Sequence, residues 1–184
     1  GVPGAFMSML GVSLLNEIII SKKISRPDLI LNHLRDKIIE ALKQEPEGIL
    51  KDGMEMTICL FDRKSYQLQF SGANNPLYLI SDGQLTQIKG DKMPVAIHDL
   101  MEPFTLNELQ LKQGDTFYTF SDGYADQFGG PKPKKFLAKN FRNLLLSIQD
   151  LPMIEQGNRM DEVFTEYRND FEQVDDVVVI GVKA

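Results

Sequence analysis

The hydrophobic period changes along this chain, and that change constrains the fold more than any single motif does. Up to Leu42 apolar residues recur at helical spacing. Gly4–Ser21 reads as a first helix with Phe6, Met9, Leu10, Leu14 and Ile18 on its buried face. A second helix follows, with Ser25 as N-cap, Pro27 in the first turn and Asp28 closing an S-x-x-D capping box. Ile30, Leu34, Ile38 and Leu42 form its stripe, and Glu45-Pro46-Glu47-Gly48 ends it. From Met54 the runs become short and rich in β-branched and aromatic residues. They are Met54–Phe61, Tyr66–Phe70, Leu77–Ile80, Leu85–Ile88, Phe104–Leu111 and Thr116–Phe120. Turn residues separate them, so the expectation is an antiparallel meander. Two helices follow, Lys134–Ile148 and Met153–Asp170, and then a last strand, Val177–Val182. Helices, strands, helices and a strand in that order imply an α+β fold with helices packed on antiparallel sheets.

Composition narrows the function classes. The 184 residues suit one domain, residues 1–184, with a usable core. A hydrophobic share of 42% and a charged share of 25% exclude disorder as the main state. One cysteine excludes a disulfide framework and a cysteine-built zinc site. A net charge of −6 argues against nucleic acid, whose phosphates require a basic face. Polar residues at Ser8, Ser13, Asn16 and Glu17 interrupt the apolar stretch Ala5–Ile20, which reads as too short and too polar for a membrane span. It also lacks the basic lead and cleavage site of a signal peptide.

Few residues offer chemistry. There is no Gly-x-Ser-x-Gly, Walker loop or dinucleotide fingerprint. His33 lies within a helix and His98 after a strand; Cys59 lies mid-strand among apolar neighbours, where a packing role suits it. What remains is carboxylates at strand ends. Asp122 ends the strand Thr116–Phe120 within Ser121-Asp122-Gly123, where Gly123 permits a sharp turn. Asp126 lies four residues on. Asp175-Asp176 precede the last strand, and two adjacent aspartates need a compensating cation or solvent. Oxygen ligands without His or Cys select magnesium or manganese over zinc. Ser-Asp-Gly is also ordinary turn chemistry, and the second copy, Ser81-Asp82-Gly83, reads as a hairpin turn. From the residues alone both readings of these aspartates stand.

Five segments taken together resemble the bacterial stage II sporulation protein E-like phosphatases of the protein phosphatase 2C superfamily. Gly1-Val2-Pro3-Gly4-Ala5 resembles the helix opening that follows a D-x-x-G-H-G motif. Asp52-Gly53-Met54 with Thr57 is similar to a strand motif, and Ser71-Gly72-Ala73-Asn74-Asn75-Pro76-Leu77 to an A-G-x-N-P hairpin. Phe120-Ser121-Asp122-Gly123 and Val174-Asp175-Asp176-Val177 resemble the two metal motifs, and all five run in family order. The resemblance implies a four-layer α-β-β-α sandwich and a cytoplasmic serine/threonine protein phosphatase. It implies two Mn²⁺ or Mg²⁺ ions and attack by metal-activated water without a covalent enzyme intermediate. It implies Asp122 and Asp175 as metal ligands, Asp126 as a ligand of a weaker third metal, and Asp176 and Gly123 as their supports. No side chain is implied as a nucleophile. A phosphoprotein substrate such as an anti-sigma-factor antagonist, and an upstream sensor domain that could tether the parent to a membrane, are further implications.

The family's D-x-x-G-H-G motif, which carries its bridging aspartate, occurs nowhere in the 184 residues. The chain also opens without an initiator methionine. Both suggest an N-terminally truncated piece of a larger signalling protein that lacks the first strands and binds metal poorly. An active parent and an inactive fragment are the expectation. The exposed sheet edge then favours a homodimer, with Ile58, Leu60, Tyr118 and Phe120 on the uncovered faces. The alternative is a non-catalytic regulatory domain that keeps the fold and binds a partner.

Overall fold

The structure, a computed structural model, describes residues 2–45, 52–99 and 101–184. It divides into two compact units, Gly1–Leu77 with Lys89–Leu111, and Tyr78–Ile88 with Lys112–Ala184.

The first unit is two helices on a three-stranded sheet. Helix α1 spans Val2–Asn16 and runs on into a π-helical turn, Glu17–Ser21; α2 spans Pro27–Leu42. Strands β1 (Met56–Asp62), β2 (Gln67–Ala73) and β5 (Asn107–Gln110) lie in the order β1-β2-β5, all antiparallel. The expected stripe of α2 is its buried face: Ile30, Leu34 and Ile38, with Leu31 beside them, are at most 2% exposed. Each such burial contributes about 1.5–3 kcal/mol, which is why a period of 3.6 selects this face. Met7 of α1, Ile18 of the π-helical turn, Ala73 of the sheet, and Met93, Val95 and Phe104 complete this core.

Three local expectations are corrected here. The N-cap of α2 is Arg26, with no side-chain cap bond, and Asp28 does not close a capping box. Its carboxylate instead accepts from the Arg26 guanidinium at 2.8 and 2.6 Å, a stronger charge-assisted pair that outcompetes the cap. The face expected for α1 is also shifted. Ile18 is buried as expected and Leu14 packs against the same core, but Phe6 and Met9 are 57% and 74% exposed, and Met7 and Gly11 are buried in their place. Third, Gly4–Ser21 has a mean hydropathy of 1.5 and is 17% buried, so by length and composition it is apolar enough to cross a membrane. The polar residues at 8, 13, 16 and 17 do not lower its mean enough to exclude this. The α2 stop expected at Glu45-Pro46-Glu47-Gly48 lies, from Pro46 on, outside the described residues; the helix itself ends at Leu42, with Lys43 left-handed at φ 49°.

The second unit is a four-stranded antiparallel sheet under two helices. Its strands are β3 (Leu77–Ser81), β4 (Gln84–Ile88), β6 (Thr116–Phe120) and β9 (Val179–Lys183), in the order β4-β3-β6-β9. The meander expectation therefore fails in topology: β1-β2 and β3-β4 are neighbours, but β2 pairs with β5 and β3 with β6. Asn74 at φ 60° turns the chain out of β2 rather than back along it. Helices α4 (Ala138–Ile148) and α5 (Met153–Arg168) supply Phe141, Leu145, Met160 and Phe164 to a core with Tyr78, Tyr118 and Tyr124. Helix α4 starts later than expected, because Leu137 is left-handed at φ 74° and Lys134-Lys135 form a short strand, β8, against β7 (Phe128–Gly129). Phe136 still reaches the core, from the loop rather than the helix.

Of the residues expected on uncovered faces, Leu60 is 44% exposed, but Tyr118 is fully buried. Its hydroxyl donates to Gln156 Oε1 of α5. Phe120 is half-buried against the rings of Tyr78 and Phe141, with centroids at 4.5 and 5.1 Å. Ile58 packs against the first unit's core.

Candidate metal centre

The two Ser-Asp-Gly copies take different backbones, and that difference separates a turn from a site. In Ser81-Asp82-Gly83, Asp82 and Gly83 have φ values of 49° and 74°. Two successive positive φ angles across a two-residue loop make the hairpin β3–β4. The Asp82 carboxylate faces solvent and accepts from Lys112 Nζ at 2.7 Å. Asp122, by contrast, is right-handed at φ −71°, ψ −18°, and opens a one-turn helix, α3 (Gly123–Asp126).

Strand β6 delivers Asp122 next to the second acidic segment. The β6–β9 ladder ends with Phe120 opposite Val179. One residue further, Ser121 N–H donates to Val178 O at 3.0 Å. Ser121 Oγ accepts from Val178 N–H at 3.0 Å and donates to Asp176 O at 2.8 Å. The hydroxyl thus extends the ladder by a side chain and ties Ser121 to the Asp175-Asp176 backbone. Gly123 closes the contact: a Cβ there would lie 2.4 Å from Asp176 O. The reason for glycine is this close approach, rather than the sharp turn expected from the sequence.

Gln127, the residue after α3, fixes the other side of the acidic segment. It is fully buried. Its Nε2 donates to Phe128 O and Glu172 O, each at 2.9 Å, and its Oε1 accepts from Val174 N–H at 3.4 Å. Sequence reasoning passed over both Ser121 and Gln127. The signal for Ser121 was its place directly after a strand and before Asp-Gly; a buried glutamine leaves no such trace.

The carboxylates meet different surroundings. Asp122, Asp175 and Asp176 are exposed. Asp175 Oδ1 accepts from Asp176 N–H at 2.7 Å, and Gln173 Nε2 donates to Asp175 O at 2.8 Å. Asp176 takes part through its backbone, its carbonyl accepting from Ser121 Oγ and its N–H donating to Asp175 Oδ1. Asp126 is ion-paired with Lys135 Nζ at 2.7 Å, so its charge is already matched. Neither Asp122 nor Asp175 has a cationic side chain as partner among the described residues. Two unneutralised carboxylates on adjoining turns suit a hard divalent cation in donor type. They do not suit it in number: among the described residues no three His, Cys, Asp or Glu side chains converge on one point. A cation held here takes further oxygens, from water or another segment. A pocket of about 370 Å³ opens beside these turns, lined by Tyr124, Met160, Phe164 and Val177 among others.

The remaining candidates lie in the first unit. His33 is exposed on α2. Cys59 is half-buried in β1, and burial pushes its thiol up to about 12, which keeps it protonated and unreactive near neutral pH.

Solved structures with the same architecture include a PP2C domain and a phosphatase domain. The chain is 28% identical to the SiaA-PP2C domain of Pseudomonas aeruginosa, with a TM-score of 0.89, covering 100% of this chain and 71% of that one. It is similar to the RsbU and RsbW domains of Rv1364c from Mycobacterium tuberculosis, at 19% identity and TM-score 0.74, covering 100% of this chain and 48% of that one. It is also similar to a manganese-presoaked phosphatase domain of SpoIIE from Bacillus subtilis, at 16% identity and TM-score 0.55, covering 94% and 72%. No curated protein sequence matches the chain. The family model for stage II sporulation protein E matches residues 1–184. The chain therefore has the PP2C phosphatase fold and belongs to the stage II sporulation protein E family.

Proposed function

We infer that this chain is the catalytic part of a metal-dependent phosphoserine/phosphothreonine protein phosphatase. The observation that carries the reading is the junction of Ser121-Asp122-Gly123 with Asp175-Asp176, which brings to adjoining turns two carboxylates that have no cationic partner among the described residues. A structural turn has no use for that arrangement, as Asp82 illustrates by pairing with a lysine.

Asp122 and Asp175 are assigned as ligands of Mn²⁺ or Mg²⁺. When bound, such a cation supplies Lewis acidity toward a phosphoryl oxygen and toward water. The chain's own contribution is placement. Ser121 and Gln127 hold the two acidic turns against each other, which fixes the backbone from which the two carboxylates reach toward a cation. Asp126 is assigned to a weaker cation site that opens only when Lys135 lets go. Asp176 and Gly123 support the ligands through the backbone. The substrate class is a phosphoprotein, and a regulator of a sigma factor is the substrate that the resemblance to the stage II sporulation protein E family implies. As a phosphatase the chain works as a single domain within a signalling protein.

A second reading, a partner-binding domain without catalysis, draws on the absence of a three-ligand cluster among the described residues. Phosphate release separates the two. The protein carrying this chain, given a phosphoserine peptide, releases phosphate in Mn²⁺ and stops in excess chelator. Asp175→Asn lowers the rate at least about tenfold, equivalent to about 1.4 kcal/mol of transition-state stabilisation. Tight phosphoprotein binding with no release at any Mn²⁺ concentration supports the binder instead.

A further inference from the structure

The pocket beside the acidic turns is not used by the candidate metal centre, and its walls indicate what it takes. One face of α5 supplies half of it: Gly157, Met160, Asp161 and Phe164 follow one another at i, i+3, i+4 and i+7. Tyr124 and Val177 complete the apolar wall. Tyr124 directly follows Gly123 and Val177 directly follows Asp176, so the pocket begins next to both acidic turns. Gln173, exposed at its edge, donates through Nε2 to Asp175 O at 2.8 Å and ties that edge to the acidic segment.

Gly157 is the feature that packing does not explain. It lies inside α5, where glycine is a poorer helix former than alanine. No close approach requires it, since a Cβ there would meet nothing within 4 Å. No left-handed backbone requires it either, because its φ is not among the positive ones. What glycine does at this position is leave the pocket open.

Asp161 gives the pocket its polarity. Its carboxylate is exposed and has no cationic partner among the described residues, and Arg159 on the same helix is paired with Glu162 at 2.9 Å. Asp122, Asp175 and Asp176, on the adjoining turns, are exposed as well. The occupant that suits such a pocket has an apolar stem and a cationic head. An arginine side chain has both. Its methylenes suit the wall of Met160, Phe164 and Val177, and its planar guanidinium pairs with a carboxylate through two hydrogen bonds and is drawn to aromatic groups such as Tyr124. Lysine, a compact and strongly hydrated charge, suits it less well. The volume of about 370 Å³ lies at the small end of the roughly 300–1,000 Å³ of ligand sites, which fits one long side chain better than an extended cofactor.

We propose that this pocket is a specificity subsite for an arginine side chain of the phosphoprotein substrate, a proposal that rests on the phosphatase reading above. Arginine held by Asp161 anchors the substrate on α5 and leads its chain across the Asp122 and Asp175 turns. An extended chain advances about 3.4 Å per residue, and the pocket adjoins the turns, so the arginine falls within about four residues of the phosphoserine.

Binding without metal tests this, read on the whole protein with isotope-labelled methionine methyl groups, the Met160 signal being identified by its loss in Met160→Leu. The probes are phosphoserine peptides with one arginine moved through those positions of an alanine background. At one position arginine is expected to shift the Met160 methyl resonance and to tighten binding at least about tenfold over the all-alanine peptide. Asp161→Asn and Gly157→Leu each remove that preference with an unchanged circular dichroism spectrum; Gly157→Met is read instead if the leucine variant loses its fold. Asp161→Arg transfers the preference to a peptide with glutamate at the same position. No arginine position that moves Met160 overturns the proposal, as does a preference that survives both Asp161→Asn and the Gly157 substitution. Leucine binding more tightly than arginine at that position assigns the pocket to an apolar side chain and overturns it too. Phosphate release from the same peptides in Mn²⁺ keeps the two readings apart. Arginine-dependent binding at Met160 with no release from any peptide contradicts the phosphatase reading and upholds the arginine pocket; release indifferent to arginine, with no shift at Met160, overturns the pocket alone.

Discussion

At the scale of single residues, identical tripeptides took different roles, and the chain context decided which. Ser81-Asp82-Gly83 and Ser121-Asp122-Gly123 cannot be told apart as strings. They differ because the first joins two neighbouring strands and needs positive φ, while the second leaves a strand into a helical turn. The importance of Gly123 was legible; its physical cause was not, since a close approach to Asp176 requires knowing what lies 53 residues away. Gly123→Ala forces the two acidic turns apart. It is expected to cost about 1–3 kcal/mol in urea unfolding, with a larger proportional loss of phosphatase rate. Ser121→Ala removes one donor and one acceptor and is expected to cost about 1–2 kcal/mol in the same measurement. The Asp28 carboxyl is held below its usual range chiefly by its hydrogen bond to Arg26. A carboxyl with a depressed native pKa stabilises the fold above its unfolded value of about 3.9 and loses that contribution as pH falls through the native value. Asp28→Asn is therefore expected to be about 1 kcal/mol less stable at pH 7, since Arg26 is half exposed. The gap to the parent should narrow as pH drops below about 4, in denaturant melts at each pH.

At the scale of elements, period was a good guide wherever one face alone was apolar. Helix α2 has a polar face bearing Asp36 and Glu40, so its buried stripe was readable residue by residue. Helix α1 is apolar on both faces, and no period singles out the one that packs; hence the misplaced Phe6 and Met9. Strand positions were legible because β-branched and aromatic runs stand between turn residues. Strand partners were not, because a turn such as Asn74–Pro76 does not announce whether the chain returns to the same sheet or enters another. The start of α4 was misread for a related reason. Leu137, two residues beyond the short β7–β8 pair, adopts a positive φ that leucine rarely takes, and no helical spacing reveals it. What α4 contributes is an aromatic cluster around Phe141, whose ring lies 4.7 Å from Tyr124 and 5.1 Å from Phe120. Phe141→Ala is expected to cost about 3–5 kcal/mol in thermal or urea unfolding. Because Tyr124 follows Gly123 directly, that loss should loosen the Asp122 turn as well.

For the molecule as a whole, family membership was legible because five short motifs occur in a fixed order, and the family model matches all 184 residues. Composition alone stopped at an α+β chain with acidic strand ends. The step from acidic strand ends to a metal-dependent phosphatase rests on Asp122 being a ligand and Asp82 a turn. One comparison tests that step most directly: phosphate release from a phosphoserine peptide, in Mn²⁺, by the protein carrying this chain with Asp122→Asn or with Asp82→Asn. The account predicts a fall of at least about tenfold for Asp122→Asn and near-parent rates for Asp82→Asn. Equal effects of the two substitutions would contradict it.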